Sequence, residues 1–219
     1  MTATTGTIPR GSLAAEYDNQ YRLWLERQGP HALDLAWRLR HLLWRQRALL
    51  RRYRPDGKRV LDFGCMDGVF TIRLQQLGGE AVGYDLSPAA VAQAEKFRGS
   101  AMLPRFTTVA PGPGQFDLVY CNEVLEHAPD ESAFMGELVG FLAPGGVLVG
   151  TTPVGRHFWD PDHKRLYDQA TLERALGPWG AVRVRPYYRT PIRNLLPFRQ
   201  AGAAVFIFEV KPPSLRDSR

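Results

Sequence analysis

The sequence predicts an α/β domain, a mostly parallel sheet with helices wound on both of its faces. Three observations predict it. Short apolar runs end in glycine or aspartate, as buried parallel strands do; helical stretches alternate with them; and 219 residues suit one such domain with a modest N-terminal extension. A composition of 44% hydrophobic and 23% charged residues is enough to bury a core.

From Ala14 to Arg54 the pattern is helical. Tyr17, Tyr21, Trp24 and Leu25 form one apolar stripe, and Leu35, Leu39, Leu42, Leu43, Leu50 and Tyr53 form another. Gly29-Pro30 divides this stretch into two helices. After the turn Pro55-Asp56-Gly57, Arg59-Val60-Leu61-Asp62-Phe63 reads as the first strand. A helix follows over about Gly68 to Leu77, then a strand over about Ala81 to Asp85, then a helix entered at Ser87-Pro88 with serine as cap and proline in its first position. Arg105 to Val109 and Phe116 to Cys121 are the third and fourth strands, separated by the turn-rich Pro111-Gly112-Pro113-Gly114. A helix over about Glu131 to Leu142 leads through Pro144-Gly145-Gly146 to a fifth strand, Val147 to Thr151, and a further helix covers about Thr171 to Leu176. Ala181 to Arg189 and Ala203 to Val210 read as two last strands with no helix between them. The second is therefore expected to insert antiparallel beside the first.

The two cysteines, Cys65 and Cys121, form neither a disulfide framework nor a metal-binding pair, and a reducing cytoplasm is the expected location. No segment approaches the roughly 18 uninterrupted apolar residues of a membrane helix, and the N-terminus lacks an export pattern. The net charge of +6 is local: residues 10–59 hold 12 Lys/Arg against 5 Asp/Glu, which leaves the remainder near −1. Those arginines are spread over helical faces that also carry apolar residues. A solvated face is the favoured reading, and an anionic or nucleic-acid partner the lesser one.

In a doubly wound sheet, ligands bind at the C-terminal ends of the strands, so the loop Gly64-Cys65-Met66-Asp67-Gly68 is the first place to look. Gly64 suits a tight exit from the strand, and Gly68 lets the next helix approach with its N–H groups facing a ligand. Asp85, about twenty residues on, can accept hydrogen bonds from both hydroxyls of a ribose. A nicotinamide site would prefer glycine where Met66 stands, because a side chain there crowds a pyrophosphate. The spacing favours an adenosine cofactor without phosphates, and Asp62 is placed to act on a cationic amino group.

Four segments then resemble, in order, the motifs of class I S-adenosylmethionine-dependent methyltransferases. They are Val60 to Gly68, Val82 to Ser87, Phe116 to His127 and Leu142 to Gly146. The resemblance covers about residues 58–180. It implies a Rossmann-like seven-stranded sheet of order 3-2-1-4-5-7-6 with strand seven antiparallel. The chain divides accordingly into an N-terminal helical extension or lid over 1–56, an S-adenosylmethionine-binding methyltransferase domain over 57–212 and a tail over 213–219, with the N-terminal helices poorly covered by the resemblance. It would place Asp62, Gly64 and the Cys65-Met66 backbone near the methionine part of the cofactor, with Gly68 opening the helix beside it. Asp85 would hold the ribose, Leu86 the adenine, and Asn122 the ribose or sulfonium end. Met66 stands where many members carry glycine.

Methyl transfer from a sulfonium is an in-line displacement, and a base is needed only if the acceptor must lose a proton. Glu123, Glu126 and His127 follow strand four, and their spacing would put all three on one side of a helical turn. Three readings stand side by side. His127 or a glutamate is a general base; or the three hold a divalent ion, Mg2+ or another, with His163 as fourth ligand; or they merely brace the loop. The ion reading resembles the Glu-x-x-Glu-His site of ubiquinone-pathway O-methyltransferases and of bacterial small-RNA 2′-O-methyltransferases. His157, Phe158, Trp159, His163 and Tyr167 follow strand five, where loops choose substrates. Trp37, His41 and Trp44 are expected on one face of the second N-terminal helix, as core or as a lid. The reading as a whole is a small-molecule methyltransferase acting at a hydroxyl oxygen. A metal-dependent RNA 2′-O-methyltransferase and an inactive S-adenosylmethionine-binding protein are its alternatives.

Overall fold

The structure, a computed structural model, describes residues 10–155, 162–188 and 204–213. Its strands are β1 (Arg59–Phe63), β2 (Glu80–Tyr84), β3 (Arg105–Thr107), β4 (Phe116–Asn122), β5 (Leu142–Pro153), β6 (Ala181–Tyr188) and β7 (Ala204–Lys211). They form one sheet of order β3-β2-β1-β4-β5-β7-β6, the order expected from the sequence. Strands β1 to β5 run parallel, and β7 lies antiparallel to both β5 and β6.

Alternating residues of the central strands feed two cores. Leu61, Phe63, Val119, Cys121 and Leu148 point to a face covered by α6 (Glu131–Gly140) and α7 (Gln169–Leu176). Val60, Ala81, Leu118, Tyr120 and Val149 point to the other, covered by α4 (Val69–Gln76) and by α3 (Trp44–Arg52), which buries Ala48 and Leu49. Burial on both faces is why these strands read as continuous apolar runs. Before β1 come also α1 (Arg10–Glu26) and α2 (Leu35–Arg40), and α5 (Pro88–Arg98) follows β2. Ser87 caps α5, its side chain accepting from the Ala90 N–H, and Pro88 occupies the first turn.

Register decides where a ligand can sit. Phe63 pairs with Tyr84 on one side and with Cys121 on the other. The next residue of each strand therefore falls in one row along the sheet edge: Gly64, Asp85 and Asn122.

The N-terminal region departs from expectation. The second helix breaks at His41-Leu42-Leu43, although no glycine or proline marks the break. Leu42 is buried there, and Trp44 begins a new helix. Trp37, His41 and Trp44 accordingly do not share a face. Trp37 is stacked between His31 and His41, at 4.8 and 4.1 Å, whereas Trp44 stacks on Tyr187 of β6 at 5.7 Å. His157, Phe158 and Trp159 lie outside the described residues, as does the tail from Ser214 onward. Among the described residues no helix is long and apolar enough to cross a membrane.

Candidate active site

The loop after β1 is built by backbone geometry. Gly64 and Cys65 both donate their N–H groups to the Tyr84 carbonyl, at 2.8 and 3.0 Å, which bends the chain across the end of β2. Gly64 has φ +72°, and a Cβ on it would come within 2.5 Å of Val124. Gly68 has φ +76° and caps α4, and a Cβ there would strike the Phe106 ring at 2.5 Å and Ala94 at 2.8 Å. Both positions need glycine for conformation and for room. Between them Met66 is also left-handed, with φ 53°, so a glycine is what the backbone prefers there.

Four polar side chains face this row. Asp62 is buried, and its carboxylate accepts the Thr71 hydroxyl at 2.6 Å; burial raises its pKa to about 7 against that hydrogen bond. Asp85 accepts from the Met66 N–H at 2.8 Å and the Ser87 N–H at 2.9 Å; burial pushes its pKa up and these two bonds pull it down. A carboxylate has about four acceptor positions, so acceptor capacity remains beyond these backbone bonds. Asp67 is buried and paired with Arg38 of α2; burial raises its pKa and the guanidinium opposes the rise. Asn122 ends β4 with both polar atoms of its amide buried and without a hydrogen-bond partner among the described residues. An acceptor-rich Asp85 and an unsatisfied Asn122, side by side at the end of the glycine-bent loop, fit a ligand carrying a ribose and an amino-acid group. Leu86, beside Asp85, is half-buried against the core.

Beyond Asn122 the chain does not form the α-helical turn expected over Glu123 to His127. Glu123 takes φ 55°, and a 3₁₀ turn covers only Leu125–His127. Glu123 pairs with Arg45 of α3, 3.6 Å from its carboxylate, while staying close enough to Glu126 and His163 for their charges to interact; burial raises its pKa and Arg45 opposes the rise. Glu126, His127 and His163 do come together, with one ligand atom from each lying within 4.8 Å of the others. The two imidazole rings meet edge-on at 4.8 Å. Thr152 donates to Glu126 Oε2 at 3.1 Å, while Oε1 is buried without a partner among the described residues. Burial, then the nearby Glu123, pushes the Glu126 pKa well up. His163 is brought in by a strap: the Lys164 and Arg165 N–H groups donate to the Glu126 carbonyl at 2.9 and 3.2 Å, and the Arg165 guanidinium holds the carbonyls of Ala128 and Pro129. One carboxylate and two imidazoles can hold a divalent ion, and imidazoles suit a transition metal better than Mg2+.

A family model described as a methyltransferase domain matches residues 35–191, well over half of the chain. The chain belongs to this methyltransferase family. Among curated relatives, a ubiquinone biosynthesis O-methyltransferase of Psychrobacter cryohalolentis is 38% identical over 105 residues, 44% of this chain and 41% of that protein. One of Rhodopseudomonas palustris is 30% identical over 154 residues, 58% of this chain and 59% of that protein. The methyltransferase thus spans about two to three fifths of the length of these relatives. Among solved structures, a magnesium protoporphyrin IX methyltransferase of Synechocystis with bound SAH aligns with a TM-score of 0.63, at 18% identity, over 93% of this chain and 99% of that one. That likeness shows the fold. Family, fold and motifs together make the chain a class I S-adenosylmethionine-dependent methyltransferase.

Sequence reasoning missed the part the N-terminal helices play in this methyltransferase. Asp18 of α1 accepts from the Ser87 hydroxyl at 3.0 Å and from the Ala89 N–H at 2.7 Å, which fastens α1 to the start of α5. Arg38 and Arg45 reach the loops after β1 and β4. Asp67 could have been suspected, since it lies inside the glycine loop. Its partner, 29 residues earlier, carries no local signal.

Proposed function

We propose that this methyltransferase moves the methyl group of S-adenosylmethionine to a hydroxyl oxygen of a small molecule. In this reading Asp62, Gly64 and the Cys65-Met66 backbone hold the methionine part, with Gly68 at the helix start. Asp85 takes the ribose, Leu86 lies against the adenine, and Asn122 meets the ribose or sulfonium end. The observation that carries the choice of oxygen is the meeting of Glu126, His127 and His163 just beyond Asn122. An amine acceptor attacks with a free lone pair, whereas a hydroxyl must lose a proton, so a proton-accepting group within reach serves oxygen chemistry. The curated relatives it resembles are named ubiquinone biosynthesis O-methyltransferases, which supports the same choice.

The acceptor oxygen attacks the methyl carbon, the bond from carbon to sulfur breaks with its electron pair left on sulfur, and S-adenosylhomocysteine leaves. In this reading His127 and His163 take the hydroxyl proton as the methyl group is transferred. Glu126, steadied by Thr152, anchors the pair. The same three side chains also fit a divalent ion, which when bound would lower the pKa of the acceptor hydroxyl.

A methylation assay on a panel of phenols and catechols, run with chelator and then with Mg2+, Mn2+ or Zn2+ restored, tests the reading. Activity that survives chelation assigns the proton to the histidines, and activity that returns only with an ion assigns the cluster to metal. If the protein binds S-adenosylmethionine yet methylates amines and no hydroxyl, the oxygen reading fails.

A further inference from the structure

We propose that Tyr21, in the N-terminal helix, is part of the cofactor site and donates its phenolic hydroxyl to an oxygen of bound S-adenosylmethionine. The inference rests on the reading that the cofactor occupies the row of Gly64, Asp85 and Asn122.

Asp18, Tyr21 and Trp24 are spaced three apart on α1 and so share one face of the helix. Each end of that face is fixed to a different rim of the row. At one end Asp18 holds Ser87 and Ala89, just beyond Asp85 at the tip of β2. At the other, the Trp24 ring lies under the Arg38 guanidinium, 5.3 Å away, and Arg38 grips Asp67 in the loop after β1. The helix therefore bridges the gap between the two loops. Tyr21 sits at the middle of the bridge, its ring stacked on Trp24 at 5.9 Å.

Tyr21 is only 5% exposed, yet its hydroxyl has no hydrogen-bond partner among the described residues. Buried tyrosine hydroxyls ordinarily find one. The charges around it are Asp67, Arg38 and Asp85, and burial, with the two carboxylates, raises its pKa to about 12. The phenol thus stays protonated and remains a donor throughout the neutral range. A donor enclosed over a cofactor cleft with no protein acceptor is placed for a ligand acceptor, and the ribose and carboxylate oxygens of the cofactor are of that kind.

The test compares the wild type with Tyr21→Phe, which keeps the ring on Trp24 and removes only the hydroxyl. Melting without ligand and calorimetric titration with S-adenosylhomocysteine are measured on both. Tyr21→Phe is expected to melt no lower than the wild type, because it removes an unsatisfied buried group, and to bind S-adenosylhomocysteine about tenfold more weakly. A merely structural tyrosine would give the reverse pattern, a lowered melting temperature with unchanged affinity, and that result overturns the proposal. Should the wild type itself fail to bind, the reading of the cofactor row falls together with this inference; should only the variant match the wild type, the inference falls alone.

Discussion

The backbone N–H of Met66 donates to the Asp85 carboxylate at 2.8 Å, so the loop after β1 is tied down by the residue that follows β2. This bond needs Met66 in the left-handed region, at φ 53°. The loop geometry is thus kept without the glycine that many family members carry, at a cost in backbone strain.

Met66→Gly should release that strain. A left-handed non-glycine residue costs about 1–2 kcal/mol, and the greater freedom of glycine in the unfolded chain takes back about 0.5–1 kcal/mol. A net stabilisation of about 0.5–1 kcal/mol is expected by urea unfolding, together with unchanged cofactor affinity if the ligand meets only backbone there. A loss of affinity would show that the Met66 side chain packs on the ligand.

Asp62 makes the free protein sensitive to pH. Its folded pKa is raised to about 7 from 3.8, so the folded state holds a proton that the unfolded state has lost. Stability contributed by this group therefore falls as pH rises from about 4 to about 7, by on the order of 4 kcal/mol, and then levels. Asp62→Asn should flatten that decline in melting temperature. If the cofactor's ammonium group meets Asp62, binding near pH 6 should release a proton, read by calorimetry in buffers of different ionisation enthalpy. Proton uptake would contradict that placement.

Arg38→Met would leave Asp67 buried without its cation. Breaking a buried pair from one side costs about 3–5 kcal/mol, and partial exposure of Arg38 brings the expectation to about 2–3 kcal/mol at neutral pH. Without Arg38 the Asp67 pKa rises further, so the deficit relative to the wild type should shrink at pH 5 and grow toward pH 8. Denaturation curves at the two pH values check it, and a deficit independent of pH would point to packing alone.

Glu126→Gln keeps the shape and an oxygen for the Thr152 hydroxyl while removing the carboxylate. Methyl transfer should fall by about 10² or more, with S-adenosylhomocysteine affinity unchanged, since Glu126 lies outside the cofactor row. Wild-type turnover in this variant would show that the Glu126 carboxylate takes no part in the transfer.

The features legible in the sequence were those with local causes. Apolar runs buried on both faces marked β1, β2 and β4, glycines at Gly64 and Gly68 marked forced backbone, and Ser87-Pro88 marked a helix start. The pairing of β7 with β6 was legible because no helix separates the two runs. The juxtaposition of His127 and His163 was legible because the fold returns the loop after β5 to the end of β4. Other features have tertiary causes. The break before Trp44 follows from burial of Leu42, the left-handed backbone of Glu123 defeated a spacing rule that needs an α-helix, and Arg38 meets the loop only because α2 folds back over it.

Calorimetric titration of the purified chain with S-adenosylmethionine checks whether that ligand binds on the row formed by Gly64, Asp85 and Asn122. One site per chain with micromolar affinity is expected, weakened beyond detection in Asp85→Ala while the variant stays folded. Absence of binding to folded wild-type protein, or undiminished binding by Asp85→Ala, would contradict it.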